Sequence, residues 1–283
     1  MILLLLFVLL NLEQPSNCIT EFKYNIEEFE KTCNNSKINP LNSIVISLDD
    51  SRFARTENIL ANTIGLNVKR HLPTLFNSPI LESKFYELFP DQRNLTSFSE
   101  YNDKFKKYFS LTIAFHDIIS SFSTSPGDIN DWLFIFEDDI SLHANSLVTP
   151  LCDIRAGAKL AHSDGILYLG MCPKACYRFS HISFLGRDYM KCFGHCAHAF
   201  GIVKWKTYSF LDLLIKISYQ SKRCRTQHPL PRRCLFFDTA LHDYGQMVNP
   251  IWLVGHNNYA GEGNMRGIFY QDREIFKNSL TNQ

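Results

Sequence analysis

The sequence has little surplus charge of either sign. Lys and Arg number 29 against 28 Asp and Glu, so the basic footprint of a nucleic-acid binder is missing. It also lacks an apolar run of roughly 20 residues, the length that a membrane-crossing helix needs. Low-complexity tracts and repeat periods are absent as well. The longest apolar run is Met1 to Leu10, which turns polar at Asn11. It is too short to cross a bilayer and matches the apolar core of a secretory signal peptide, placed at residues 1–17. No Lys or Arg precedes it and no small-x-small cleavage pattern follows, so a buried first strand or helix is the alternative. Apolar residues make up 45% of the 283 positions, enough for a sizeable core and too many for a disordered chain. That length suits one large α/β domain or two small ones.

What the chain does have is cysteine. Nine are present: Cys18, Cys33, Cys152, Cys172, Cys176, Cys192, Cys196, Cys224 and Cys234. A count of this size points to an oxidising compartment, and the odd number leaves at least one free or paired between chains. Cys18 with Cys33, and Cys224 with Cys234, could each close a short loop. Asn34-Asn35-Ser36 and Asn94-Leu95-Thr96 fit the N-glycosylation acceptor pattern. The 23 Phe and 12 Tyr imply a bulky aromatic core, or stacking surfaces for sugars or bases.

Along the chain, residues 18–42 are polar and Asn-rich and read as a lead-in. Ser43 to Leu48 is a β-branched run that predicts a buried strand. A helix is expected over 51–66, with Asp and Ser at its start and Gly65 near its end. A second strand follows at 68–71, so the chain opens as a β-α-β unit. Residues 73–98 carry three prolines and read as an insertion or irregular loop. A helix is expected over 100–122, strands at 131–140 and 165–170, a Cys-rich loop over 171–196, and a strand at 197–203. Helices at 205–219 and 236–244 and a strand at 251–254 complete a domain over 43–260. A Gly-rich tail follows at 261–283. This alternation predicts an α/β fold with a mostly parallel central sheet flanked by helices.

Leu133-Phe134-Ile135-Phe136 runs directly into Glu137-Asp138-Asp139. Strand alternation would put Glu137 and Asp139 on one face and Asp138 on the other. Three adjacent carboxylates at the end of a buried strand repel one another, and burial without a counter-charge costs several kcal/mol. A hard divalent ion such as Mn²⁺ or Mg²⁺ is the natural partner, with Glu137 and Asp139 as its ligands. Such an ion would bridge to a diphosphate. The alternative is a solvated acidic turn. Arg52 and Arg55 fall in the first turn of the first predicted helix, where a cation is unfavourable unless an anion compensates. A nucleotide diphosphate is one such anion, and a local pairing with Asp49, Asp50 or Glu57 is the other.

Ile44 to Arg55 resembles the opening strand and Arg-bearing helix of glycosyltransferase family 25, which includes lipooligosaccharide and collagen galactosyltransferases. Phe134 to Ile140 is similar to its Glu-Asp-Asp strand, Leu167 to Gly170 to its next strand, and Cys196 to Val203 to the segment before a later helix. Where that family often carries Ser-His ahead of the acidic strand, this chain has Phe115-His116. The resemblance implies a GT-A type fold and transfer of a hexose, galactose or glucose, from a UDP-sugar to an acceptor hydroxyl with inversion. Inversion needs a general base, and Asp238 stands where the family places an acidic residue. Its alternative role is a helix N-cap, and His242 and Asp243 lie in the same helix. Arg52, Arg55 and Asp138 would contact the nucleotide, and His198 would face the acceptor pocket. A glycan or protein acceptor and an ER, Golgi or secreted location are implied. A secreted nucleotide-sugar or glycan-binding module on the same fold is the alternative function.

The spacing Cys172-x₃-Cys176, Cys192-x₃-Cys196-x-His198 also admits a zinc site, but disulfides fit an oxidising compartment better.

Overall fold

The computed structural model describes residues 41–272, apart from 96, 144–149, 185–186, 228 and 256–265. The expected signal peptide, the Cys18 and Cys33 pair, the Asn34 sequon and residues 273–283 lie outside the described residues. No helix among the described residues is long and apolar enough to cross a membrane.

Strand β1 (Asn42–Ile46) leads into helix α1 (Asp50–Glu57), which widens into π-helical turns over Asn58–Ile64. The Asp49 side chain caps α1 by accepting from the Arg52 amide at 2.9 Å. Gly65, at φ 87°, stops the helix in the left-handed conformation that glycine adopts most readily. Strand β2 (Asn67–His71) then pairs in parallel with β1. Helices α2 (Pro79–Leu88) and α3 (Asp103–Thr124) follow, then β3 (Trp132–Glu137) and the short β4 (Ile140–Leu142). Helix α4 (Pro150–Leu160) precedes the two longest strands, β5 (Ile166–Phe184) and β6 (Arg187–Val203). Helices α5 (Thr207–Leu214), α6 (Lys222–Thr226) and α7 (Phe237–Met247) come next. Strands β7 (Ile251–Gly255), β8 (Arg266–Gly267) and β9 (Phe269–Gln271) complete the described chain.

The main sheet is seven-stranded, in the order β2-β1-β3-β6-β7-β5-β8, with a further β5–β6 pairing; β4 and β9 pair separately. It is a mixed sheet within an α/β layer structure. Strands β2, β1, β3, β7 and β5 share one direction, while β6 and β8 oppose it. The expectation of a mostly parallel sheet holds for strand direction but misses the antiparallel β6 against β3. That strand returns through the hairpin from β5, and a hairpin can only pair antiparallel.

Two other expectations need correction. The Pro-rich segment 73–98 is not an irregular loop, because Pro79 opens α2 at its first turn, where a missing N–H costs nothing. Phe85 of that helix is buried and meets Tyr86, Phe89, Phe98, Tyr101, Phe105 and Phe109 at ring-centroid distances of 5.1–6.3 Å. This cluster is where much of the phenylalanine is used. The Cys-rich stretch 171–196 is a β-ribbon rather than a loop, formed by β5 and β6 and stapled by Cys172–Cys196 and Cys176–Cys192. Cys224 and Cys234 form the expected short-loop disulfide. The zinc alternative therefore falls, since its four cysteines are spent on two disulfides.

Candidate functional site

The chain leaves β1 for β2 on one side and later returns to the other side as β3. This reversal marks a topological switch point, and in open α/β sheets ligands bind beyond the carboxyl ends of the strands there. Ile46 and Glu137 are register partners at those ends. The apolar core of β3 is fully buried, so the polar residues that follow it are held in place by the sheet beneath.

Three carboxylates stand at that edge. The strand ends at Glu137, and Asp138 and Asp139 form a turn before β4. The pleat stops at this turn, and Asp138 and Asp139 both approach Arg52. The Arg52 guanidinium is ion-paired with Asp138 and lies 4.0 Å from an Asp139 oxygen. This pairing compensates the cation at the start of α1. Thr56 of α1 donates to the Asp138 carbonyl at 3.0 Å, pinning the helix to the turn. Arg55 serves the same joint, donating to the Ile140 carbonyl at 2.8 Å and to the Ser141 hydroxyl at 3.0 Å. It pairs with none of Asp49, Asp50 or Glu57. Arg55 is a brace for β4 and does not line the cavity that Arg52 lines.

Asp139 is 2% exposed. One of its oxygens accepts from the Gln271 amide at 2.9 Å, and its carbonyl accepts from the Asp272 amide at 2.7 Å. Its other oxygen, Oδ1, is buried with no hydrogen-bond partner. Burial pushes the Asp139 carboxyl up to about 6; the Gln271 hydrogen bond and Arg52 oppose that push, and Asp138 adds to it. Burial also drives Glu137 well above the usual carboxylate range, with the charges of Asp139, Asp238 and Asp138 adding to it. Asp138 is raised by burial too, against the Ser47 hydroxyl and Arg52. One guanidinium thus faces three carboxylates in a site that disfavours their charge.

Two cavities flank this cluster, and Leu111 lines both. The first, about 390 Å³, is lined by Ser47, Asp49, Arg52 and Asp138 with Leu75, Phe76 and Lys107. The second, about 270 Å³, brings Glu137 together with His198, Asp238, Cys196 and Gln271 against an aromatic wall of Tyr108, Phe115, Phe236 and Phe237. Asp238 lies in the first turn of α7, but Phe236 occupies the N-cap. The N-cap alternative for Asp238 is thereby excluded: its Oδ2 accepts from the Cys196 amide at 3.4 Å, across the cavity wall. Of the acids in α7, Asp238 is the one that lines the cavity. Asp243 accepts from Ser218, and the His242 ring stacks on His195 at 4.4 Å.

His198 is 1% exposed. Its Nε2 lies 3.2 Å from the Phe269 carbonyl, which can only accept, so the proton sits on Nε2 and Nδ1 is a buried acceptor without a partner. Burial lowers this histidine to about 4, so it is neutral at pH 7. His116, the other histidine flagged by position, is buried near Tyr219 at 3.3 Å and does not line either cavity.

The structure thus brings Glu137, Asp138, Arg52, Asp238 and His198 to adjoining cavities, and buries Asp139 next to them in the turn, while neither Asp139 nor Arg55 lines a cavity wall. It adds Gln271, Lys107 and the Cys196 amide, for which the sequence carries no local signal. Among the described residues, no three His, Cys, Asp or Glu side chains gather as metal ligands. The chain matches no protein-family model, and no curated protein matches it in sequence.

Proposed function

We propose that this chain is a GT-A type hexosyltransferase of the secretory pathway that uses a UDP-sugar and Mn²⁺, acting with inversion on an acceptor hydroxyl. The observation that carries this reading is the buried, unpartnered Oδ1 of Asp139 beside Glu137 at the switch point. An oxygen so placed lacks a partner, and Arg52 is one cation set against three carboxylates. Oxygen donors suit Mn²⁺, and hard ions of this kind are commonly held by one or two carboxylates plus substrate phosphates, without a full protein cage. Glu137 and Asp139 would be those carboxylates. Once bound, the ion supplies positive charge for the diphosphate leaving group.

The other roles follow from position. Arg52 and Lys107 give the first cavity its cations, so it suits the nucleotide end, with Leu75 and Phe76 beside the base. The second cavity suits the sugar and the acceptor. Asp238 takes the acceptor proton there, and neutral His198 offers a shielded polar edge without adding charge. The disulfide-stapled ribbon agrees with an oxidising compartment.

The test is titration calorimetry with UDP, with and without Mn²⁺, followed by UDP-sugar turnover. Metal-dependent binding and slow hydrolysis of the donor are expected, both abolished by Asp139→Asn. Metal-dependent binding without turnover would identify a binding module on this fold. Full turnover by the Asn variant would sink the assignment.

A further inference from the structure

The ribbon is deformed beside the cavity. Between Gly170 and Cys172, β5 advances two residues, while its partners run from Ala199 to His195, four residues on β6. The surplus on β6 forms a bulge containing Cys196, Ala197 and His198, and its ends Cys196 and His198 line the cavity. Bulges of this kind re-aim side chains beside sites. Gly170 opposes it, and a Cβ there would sit 2.4 Å from His198 Nε2, so glycine leaves room for the ring.

Cys196 is the one non-glycine residue with positive φ, 67°, among the described residues. An L-residue holds that conformation only where its surroundings enforce it. Two contacts do so here: the disulfide to Cys172 and the hydrogen bond that the Cys196 amide donates to Asp238. The second disulfide of the ribbon is different. Cys176 and Cys192 are direct register partners, and β6 is also paired with β7 from Asp188 to Cys192. The ladder already holds that region, whereas Cys172 faces His195 in register and reaches past it to the bulge.

We infer that the Cys172–Cys196 disulfide is a positioning element of the site, fixing the Cys196 amide against the Asp238 carboxylate so that the acid is aimed into the cavity. This rests on the reading of Asp238 as the general base. Cys196 touches no reacting atom; it acts through Asp238.

Three double variants test it: C172S/C196S, C172S/C196G and C176S/C192S. In C172S/C196S, kcat for donor turnover should fall at least tenfold, while the affinity for UDP with Mn²⁺ holds, because Arg52, Glu137 and Asp139 are untouched. C172S/C196G should recover part of that loss, since glycine takes φ 67° without enforcement. C176S/C192S should turn over like the wild type. Unchanged kcat in C172S/C196S, or equal kcat in C172S/C196S and C172S/C196G, overturns the inference. A second readout needs no activity and no cysteine change: hydrogen exchange at the Cys196 amide should quicken in Asp238→Ala. If it does not, the inference fails even in a chain that turns nothing over. A wild type without turnover whose Cys196 amide does respond to Asp238→Ala refutes the transferase assignment alone.

Discussion

Two kinds of wall line the second cavity: the end of β3, and the bulge of β6 with the first turn of α7. The β3 wall is made by burial. Its strand lies between β1 and β6, its apolar residues are sealed, and its pairing runs unbroken to Glu137 along β1 and to Phe136 along β6. The other wall is made by exception: a bulge, a residue at positive φ, a glycine that makes room and a disulfide. Charge divides the same way. The buried wall carries the crowded carboxylates, and the stapled wall carries the single acid with a backbone donor. Rigid burial suits groups that must stay close together despite repulsion. Local staples suit a group that must be aimed.

The largest expected effect tests the buried wall. Phe134 is fully buried, stacks on Trp132 at 5.9 Å, and lies over Gly201, where a Cβ would sit 2.5 Å from the ring. Phe134→Ala would leave a cavity that the sheet cannot close, because both neighbours are fixed by the ladder. A loss of about 3–5 kcal/mol in urea unfolding is expected. A loss below about 1 kcal/mol would show that burial is not what holds this wall.

The same division explains what can be read from the amino acids alone. The β1-α1-β2 opening, β3 and its acidic end are legible because burial writes itself as apolar runs, and caps and Gly65 punctuate them. Arg52 is legible because a cation at a helix start demands an anion; that the anion is Asp138 is not, since the partner comes from 86 positions away. Arg55 shows the limit of such reasoning, as its donors go to a carbonyl and a hydroxyl of β4. The ribbon reads as a loop because its shape depends on cross-strand pairing and disulfides, which are long-range. Gln271 and the Cys196 amide carry no signal at all: one is an ordinary side chain brought from the far end, the other is backbone.

A smaller effect sharpens the charge side of the comparison. Asp139 has its carboxyl raised from an ordinary 3.8 to about 6. The folded state therefore binds a proton more tightly than the unfolded state. The stability that Asp139 itself contributes is fully present below about pH 4, falls as pH rises from about 4 to about 6, and is flat above. The drop is on the order of 3 kcal/mol. Asp139→Asn removes the ionisation and can still accept from Gln271. The variant should match the wild type at about pH 4 and exceed its stability by up to about 3 kcal/mol at about pH 7, even as the proposed Mn²⁺ binding is lost. Melting curves across that range decide it; a variant less stable than wild type at neutral pH would mean that Asp139 is kept charged at no cost to the fold.

The smallest expected effect falls on the stapled wall. A methyl group at Gly170 would lie 2.4 Å from both His198 Nε2 and the Phe269 carbonyl oxygen. One of these is backbone and the other a fully buried ring, so neither yields easily. Gly170→Ala should therefore wedge apart the His198–Phe269 hydrogen bond and shift the bulge, costing about 1–3 kcal/mol. Because β3 and α1 are untouched, affinity for UDP with Mn²⁺ should be unchanged while turnover drops. That split, read by calorimetry and a donor-turnover assay on the same sample, isolates the stapled wall from the buried one. Parallel losses of binding and turnover would mean that the two walls move as one body, and the contrast between burial and local staples would no longer describe how the cavity is built.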